Sequence, residues 1–503
     1  MTKSEKLMFF NHFREQLKHF IGLDLEFSDS DQEKDITFHL KTTGISQKTA
    51  RMLLDELTCK IFAVLSYYYN HTNGFELRQF ISAVEEIALL IIFHSDSLSV
   101  SCYDLKAYSF IKLLKEASTK TYESAHTSLG FFYFQRPYLN IEQELHKIGL
   151  EYLPASYPID ASAFIEDKRS LRLIDNKHLS LVVNHEFLVT GFVRKQSDCE
   201  LIRTAIMAMY NEVDELKLQY MYYSSLYDYL NDQLAENTIT LSRDTYDKFS
   251  SYIFANLDTL KAISAQKEQK IPPFQFIDIY NRELNWYTNH NFTLRLANGN
   301  WKIKHYLALK AILLEKLLPY DCDQTLSYLV RNYSTLKTNV VDITIKRIDR
   351  LVGLIKRLSQ TEKGSLFVIL LDANLCDTTR PQKEPIRHEK AIQQIPVQML
   401  LKGDTSLNKF VHIIKRHDYA LNVLDGDFLF LELLASIDGA VILDSSFNFL
   451  SFGELLDISG IRTEALGART AAAYAGSRFG IAIKVSQDGD VLVLHNGEIL
   501  IEI

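Results

Sequence analysis

Apolar positions along the chain fall into blocks with different periods. Over 47–69, Met52, Leu53, Leu57, Ile61, Phe62 and Leu65 recur at helical spacing behind Ser46, a suitable N-cap, and predict a helix. A second helix fits 76–93, so 1–135 reads as mostly helical. Between 162 and 194 the pattern changes to short runs at 170–174, 179–183 and 187–192. These are separated by Asp175 and Asn176 and by Asn184 and His185, which predicts a small meander of strands. Residues 198–264 return to long helices rich in Tyr and Leu. A β stretch follows over 275–304, where Asn298, Gly299 and Asn300 between 292–296 and 301–303 signal a final hairpin. Helices are expected again at about 305–335.

From about 340 the pattern sharpens. Val341, Ile345, Ile348, Leu351, Val352, Ile355 and Leu358 keep helical spacing, with Lys346, Arg347, Arg350, Lys356 and Arg357 on the remaining, basic face. Gly364 is expected to stop this helix, and 365–371 is short and apolar enough for a buried strand. The polar stretch 372–389, with Pro381 and Pro385, reads as a loop over a site or an insertion. Short helices fit 406–416 and 426–436. Strands fit 440–443, 449–452, 481–485, 491–494 and 499–503, with hairpin turns at Asp488 and Gly489 and at Asn496 and Gly497. The expected class is α+β or α/β: a C-terminal mixed sheet flanked by helices, preceded by a largely helical α+β region. The expected segments are 1–135, 136–335 (regulatory) and 340–503 (nucleotide-binding).

Composition narrows the function classes. With 503 residues, 47% hydrophobic and 23% charged, the chain is globular in kind and long enough for several domains. A net charge of −8 argues against a surface built throughout for nucleic-acid phosphates. The five cysteines, Cys59, Cys102, Cys199, Cys322 and Cys376, are odd in number and form no CxxC pair, which suits reduced thiols in the cytoplasm. The N-terminus lacks the apolar run of a signal peptide, and the most apolar stretch, 87–93, is too short to span a bilayer. A cytoplasmic protein without membrane contact is expected. Nothing catalytic stands out before 340: Glu85 and Glu86 point to different sides of a helix, and His71, His94 and His126 lack metal-ligand spacing.

Two features of the C-terminal part carry chemistry. Asp438, Gly439 and Ala440 lie between a helix and a buried strand. A carboxylate there can hold Mg²⁺ or Mn²⁺ beside phosphates, and the small neighbours let a ligand approach the backbone. The same residues also suit a plain turn after a helix. Gly467, Ala468, Arg469 and Thr470 precede the Ala-rich 471–475. A helix starting near Thr470 would turn its N–H groups and positive end toward an anion, and Arg469 would add a bidentate phosphate donor. The alternative is an ordinary helix with Thr470 as N-cap and Arg469 on the surface.

In this order, residues 340–503 resemble the diadenylate cyclase domain family, which makes cyclic di-AMP. Lys363, Gly364, Ser365 and Leu366 are similar to its Gly-Ala-Leu-Ile segment. Asp438, Gly439 and Ala440 match its Asp-Gly-Ala motif. Gly467 to Ala473 fall on Gly-Thr-Arg-His-Arg-Ala-Ala, and Val485, Ser486, Gln487 and Asp488 on Val-Ser-Glu-Glu. The chain departs from the family at Ala468 (Thr), Thr470 (His), Ala471 (Arg) and Gln487 (Glu), and Ile437 stands where some members have a metal-binding His. The resemblance implies two ATP, or other nucleoside triphosphates, joined in a homodimer or higher homo-oligomer with Mg²⁺ or Mn²⁺. Asp438 would bind metal and favour loss of the 3′-hydroxyl proton. Arg469 would stabilise phosphate charge. Leu366, Gly439, Ala440, Gly467, Thr470 and Ser486 would line the nucleotide. A DNA-binding module after the cyclase is not evident, and the front part would be a sensor. The alternative is a degenerate nucleotide-binding sensor or dimerisation unit, favoured by the departures at Thr470 and Ala471. An interaction scaffold without nucleotide would leave the ordered motifs unexplained.

Overall fold

The computed structural model describes residues 14–15, 18–22, 25–29, 36–40, 105–122, 125–126, 128–136, 140–166, 170, 174, 178–195, 202–235, 243–268, 273–280, 283–287, 293–297, 300–317, 339–371, 395–401, 420–461 and 467–503. The helices expected over 47–69, 76–93 and 406–416, the stretch 372–389 and all five cysteines lie outside these residues. In chain order the elements are β1 (Leu25–Asp29), β2 (Ile36–Leu40), α1 (Leu105–Thr119), β3 (Thr121–Tyr122), β4 (Ala125–His126), β5 (Leu129–Tyr133), α2 (Ile141–His146), β6 (Leu150–Asp160), α3 (Ala161–Glu166), β7 (Leu179–Val183), β8 (Leu188–Lys195), α4 (Ile202–Ala235), α5 (Arg243–Glu268), β9 (Gln275–Tyr280), β10 (Glu283–Tyr287), β11 (Thr293–Ala297) and β12 (Asn300–Lys304). They continue with α6 (Asn339–Gln360), β13 (Ser365–Leu370), α7 (Phe428–Ala435), β14 (Ala440–Leu443), β15 (Phe449–Glu454), α8 (Ala468–Gly476), β16 (Gly480–Val485), β17 (Val491–His495) and β18 (Glu498–Glu502). The class is mixed α and β, with sheets flanked by helices.

The chain groups into two compact units. The first contains 1–41, 50–214 and 265–307, and the second contains 42–49, 215–264 and 308–503. These limits differ from segments at 1–135, 136–335 and 340–503. The reason is strand pairing: β5, from the first expected segment, lies between β7 and β9 in one sheet.

That eight-stranded sheet of the first unit runs β12-β11-β10-β9-β5-β7-β8-β6, and only β5 and β7 pair in parallel. The hairpin signalled around Gly299 is the β11–β12 pair, closed at Ala297 and Asn300. Phe132, Phe134, Phe274, Phe276 and Tyr287 build the core on one face with Leu145, Val182 and Val193. Edge-on ring contacts, such as Phe132 with Phe274 at 5.1 Å, let aromatic area pack without sandwich repulsion.

In the second unit, a six-stranded sheet runs β15-β14-β13-β16-β17-β18. β13 and β14 are parallel and every other neighbour is antiparallel. β13 is central and buried at all six positions, which is why 365–371 reads as a continuous apolar run rather than an alternating one. α8 packs on the face bearing Leu366, Val368, Ala440, Ile442 and Ala482; its Ala472 and Ala473 keep the helix close. α6 carries its apolar stripe inward, with Ile345, Ile348, Leu351, Val352, Ile355 and Leu358 buried. Its basic face is partly used: the Arg350 and Arg357 guanidinium groups lie over the Phe428 ring at 4.7 and 5.6 Å.

Gly364 does not end α6 by adopting a left-handed conformation. Glu362 does, with φ 54°. Lys363 N–H donates to the Leu358 carbonyl and Glu362 N–H to the Ser359 carbonyl, the pattern in which glycine usually takes the left-handed place. Gly364 is thereby left for a different task.

Candidate functional site

The sheet's edge where β13 and β14 both begin, at Ser365 and Ala440, gathers most of the expected site residues. α7 leads into it. Asp427 caps that helix, accepting from Leu429 and Phe430 N–H at 3.0 and 3.1 Å, and the helix closes at Ser436. The chain must then turn directly into β14, and Gly439 makes that turn at φ +110°, a conformation for glycine. A Cβ on Gly439 would stand 2.4 Å from the Gly453 carbonyl carbon and 2.8 Å from Glu454 N. The loop is therefore pressed backbone to backbone against β15. Asp438, one residue earlier, is left with its side chain 97% exposed.

Arg469 reaches the same place from α8. Its Nη2 stands 3.5 Å from Asp438 Oδ1, and its side chain is 30% exposed. Gly364 makes the space: a Cβ there would lie 2.1 Å from Arg469 Nη1 and 3.3 Å from Gln487 Cγ. α8 starts at Ala468, two residues earlier than the expected start near Thr470. Its N-cap is Gly467, which has no side chain to bond the first turn. Open space faces the Gly467 Cα, where an added Cβ would meet nothing within 4 Å. Thr470 is thus not the cap; its Oγ1 accepts a hydrogen bond from Lys484 Nζ at 2.8 Å.

Of the remaining expected site residues, Leu366 is buried and lies opposite both Ala440 and Lys484 in the sheet, one layer below the loop. Ser486 follows Val485, which pairs with Ser365. Its Oγ accepts from Asp490 N–H at 3.0 Å, and its hydrogen bonds close the β16–β17 turn rather than reach Arg469 or Asp438. Asp438, Gly439, Ala440, Gly467, Arg469, Thr470 and Leu366 are brought to one edge of the sheet, and Ser486 stands at the same edge, engaged in a turn.

Two residues missed at the level of sequence belong to this site. Lys484 looks like a polar interruption of a strand, and only its register opposite Leu366 puts it there. Glu432, on α7, is a buried carboxylate that binds Lys363 Nζ at 2.7 Å and also pairs with Arg357. Burial pushes its carboxyl up, but the Lys363 hydrogen bond and the two positive charges outweigh that and hold it below the ordinary glutamate value. Glu432 so ties the helix leading to Asp438 to the segment leading to Gly364. A helical Glu among leucines was the only available signal.

Among the described residues, no three His, Cys, Asp or Glu side chains gather as a closed metal site. Asp438 offers one exposed carboxylate. That fits a Mg²⁺-type ion, which is commonly held by one or two carboxylates together with substrate phosphates.

The exposed Asp438–Arg469 pair is worth no more than about 1 kcal/mol, so it does not hold the fold together. Gly364→Ala tests its placement. The added Cβ meets the far end of a flexible side chain, so the melting temperature should stay within about 2–4 °C of wild type. Arg469 must leave its seat, and whatever the site does should fall about 10- to 100-fold. A variant that melts and functions as wild type would show that the seat is unimportant.

No family model matches the chain, and no curated protein matches it. Among solved structures, a double mutant of DacA from Staphylococcus aureus is 18% identical; the match covers 31% of this chain and 84% of that one, with a TM-score of 0.19. A hypothetical membrane spanning protein from Bacillus cereus is 16% identical over 40% of this chain and 97% of its own, again with a TM-score of 0.19. At such identities and TM-scores these two structures say nothing of this chain's activity. Among the described residues, no helix is long and apolar enough to cross a membrane.

Proposed function

We propose that the C-terminal part of this chain is a cyclic dinucleotide synthase that joins two ATP molecules into cyclic di-AMP and pyrophosphate. The observation that carries this is the meeting of Arg469 and Asp438 over Gly364, with Nη2 3.5 Å from Oδ1. Family-like motifs far apart in the chain supply a proton acceptor and a phosphate donor fork to one place. Because the pair is exposed and weak, Arg469 can exchange Asp438 for a phosphate at little cost. The open space in front of Gly467 and the uncapped first turn of α8 leave room for that anion.

In this scheme the 3′-oxygen of one nucleotide attacks the α-phosphorus of the other. The bond from that phosphorus to the bridging oxygen of the β-phosphate breaks, and pyrophosphate leaves. Asp438 accepts the 3′-hydroxyl proton, and Arg469 carries the charge that builds on the phosphate oxygens. Mg²⁺ or Mn²⁺, held by Asp438 together with the phosphates, would supply charge neutralisation when bound. Leu366 and Ala440 form the floor under the loop. The step happens twice, once in each direction, so two domains must face each other about a two-fold axis. The exposed Leu429, Leu433 and Ile437, spaced four apart, make an apolar stripe that ends beside Asp438 and would be covered in such a pair. The front part of the chain would regulate it.

The test is incubation with ATP and Mn²⁺ or Mg²⁺ over a dilution series, with mass spectrometry of the products. Cyclic di-AMP is expected, with specific activity rising as the chain is concentrated. A second possibility, nucleotide binding without turnover, is favoured by Thr470 and Ala471 where the family has His and Arg. Tight ATP binding with no product under either metal would select it.

A further inference from the structure

We infer that Lys484 is a second phosphate-binding cation of this site, recognising the polyphosphate chain of a nucleoside triphosphate; this rests on the nucleotide-binding role proposed above. Lys484 lies in β16 on the face that also carries Ala482. Its cross-strand neighbours are Leu366 on β13 and Leu492 on β17, so its stem runs through an apolar layer and is half-buried. The ammonium emerges at the first turn of α8, where it donates to Thr470 Oγ1 at 2.8 Å.

This is an unfavourable place for a cation that has only structural work to do. The partner is a neutral hydroxyl, and among the described residues no carboxylate pairs with Lys484. The amino end of α8 carries partial positive charge, so it repels an ammonium there. Arg469, the preceding residue to Thr470, adds a second full charge nearby. Among the described residues the acid in contact with it is Asp438, which is almost wholly exposed and screened by water. Two cations and a helix amino end therefore converge on a small region with little opposing charge among the described residues. A bound polyanion would satisfy all three at once. Thr470 then acts as a tether, holding the flexible lysine head at the mouth of the site. This gives the threonine a role that its side chain does not have as a cap, and Lys484 supplies from the neighbouring strand a charge that Ala471 does not.

Lys484→Met keeps the apolar stem and removes the charge. Titration calorimetry with ATP, adenosine and inorganic triphosphate, at fixed ionic strength, reads the effect. ATP and triphosphate affinity should fall about 10- to 100-fold, the scale of one lost charged hydrogen bond, while adenosine affinity is unchanged. The melting temperature should not fall, because the lost charge had no anionic partner. Lys484→Arg, which keeps the charge, should retain most of the affinity. Equal ATP affinity in wild type and Lys484→Met would overturn the role of Lys484 and leave the proposed activity standing. A Lys484-dependent triphosphate affinity in a chain that makes no cyclic dinucleotide would uphold the role and overturn the activity. Absence of both ATP and triphosphate binding in the wild type would overturn both. A variant that melts lower and also loses adenosine binding would mark Lys484 as a packing residue and overturn the inference.

Discussion

Asp438→Asn is expected to lower cyclic dinucleotide formation about 10²–10⁴-fold, the usual range for loss of a positioned acid–base group. The asparagine has the same shape, so the Gly439 turn is not disturbed. It cannot accept a proton at neutral pH, and it brings no negative charge to a divalent cation. Stability should hardly change. The side chain is 97% exposed, and its contact with Arg469 is of the solvent-screened kind that contributes little. Product formation by chromatography and melting by circular dichroism, on the same preparation, separate the two effects. Activity within a few-fold of wild type would remove Asp438 from the mechanism, whatever else the site binds.

The largest expected effect on stability comes from the neighbouring position. Gly439→Ala places a Cβ 2.4 Å from the Gly453 carbonyl carbon and 2.7 Å from its oxygen, and both are backbone atoms that cannot swing aside. The residue also sits at φ +110°, where an L side chain is strained. Strain and overpacking each cost about 1–3 kcal/mol, so a loss of about 2–6 kcal/mol is expected, or a fall of about 4–24 °C in melting temperature. Gly467→Ala is the matched control. It lies at φ −64° with open space ahead of it, so the same substitution should leave melting unchanged. If Gly439→Ala melts like wild type, the loop carrying Asp438 is not pinned to β15, and its position relative to Arg469 is not enforced by the fold.

Much of the second unit's architecture was legible from local pattern. The strand at Ala440–Leu443 falls where its apolar run predicts, between a helix and a turn, and β17 and β18 meet at the Asn496–Gly497 turn expected from that dipeptide. Both turn residues have positive φ, at 51° and 79°, which is the reason the pair marks a tight hairpin. α6 follows from its 3.6-residue stripe. The errors have physical causes too. Thr470 resembles a cap, yet α8 gains two residues because Gly467 can start it and the Thr470 hydroxyl is taken by Lys484. Gly364 resembles a helix stop, but Glu362 accepts the left-handed conformation, and the glycine instead makes room for a guanidinium. Glu432 does not stand out in the sequence at all, because its partners Lys363 and Arg357 come to it from a distant part of the chain.

By itself the sequence determined the periods, the turns and the residue types available for chemistry, because these depend on neighbours a few positions apart. It determined that an acid beside glycine follows a helix and that an arginine stands just ahead of an alanine-rich run. Only the tertiary structure decided that the two groups meet. That outcome needs β13 and β14 to pair in parallel so that both begin at one edge, and it needs α8 to lie on the sheet with its amino end at that edge. It also decided that Lys484 belongs to the same place, through a cross-strand register with Leu366. Pairing partners and register are set by burial summed over the whole sheet, and no short stretch of the chain contains that sum.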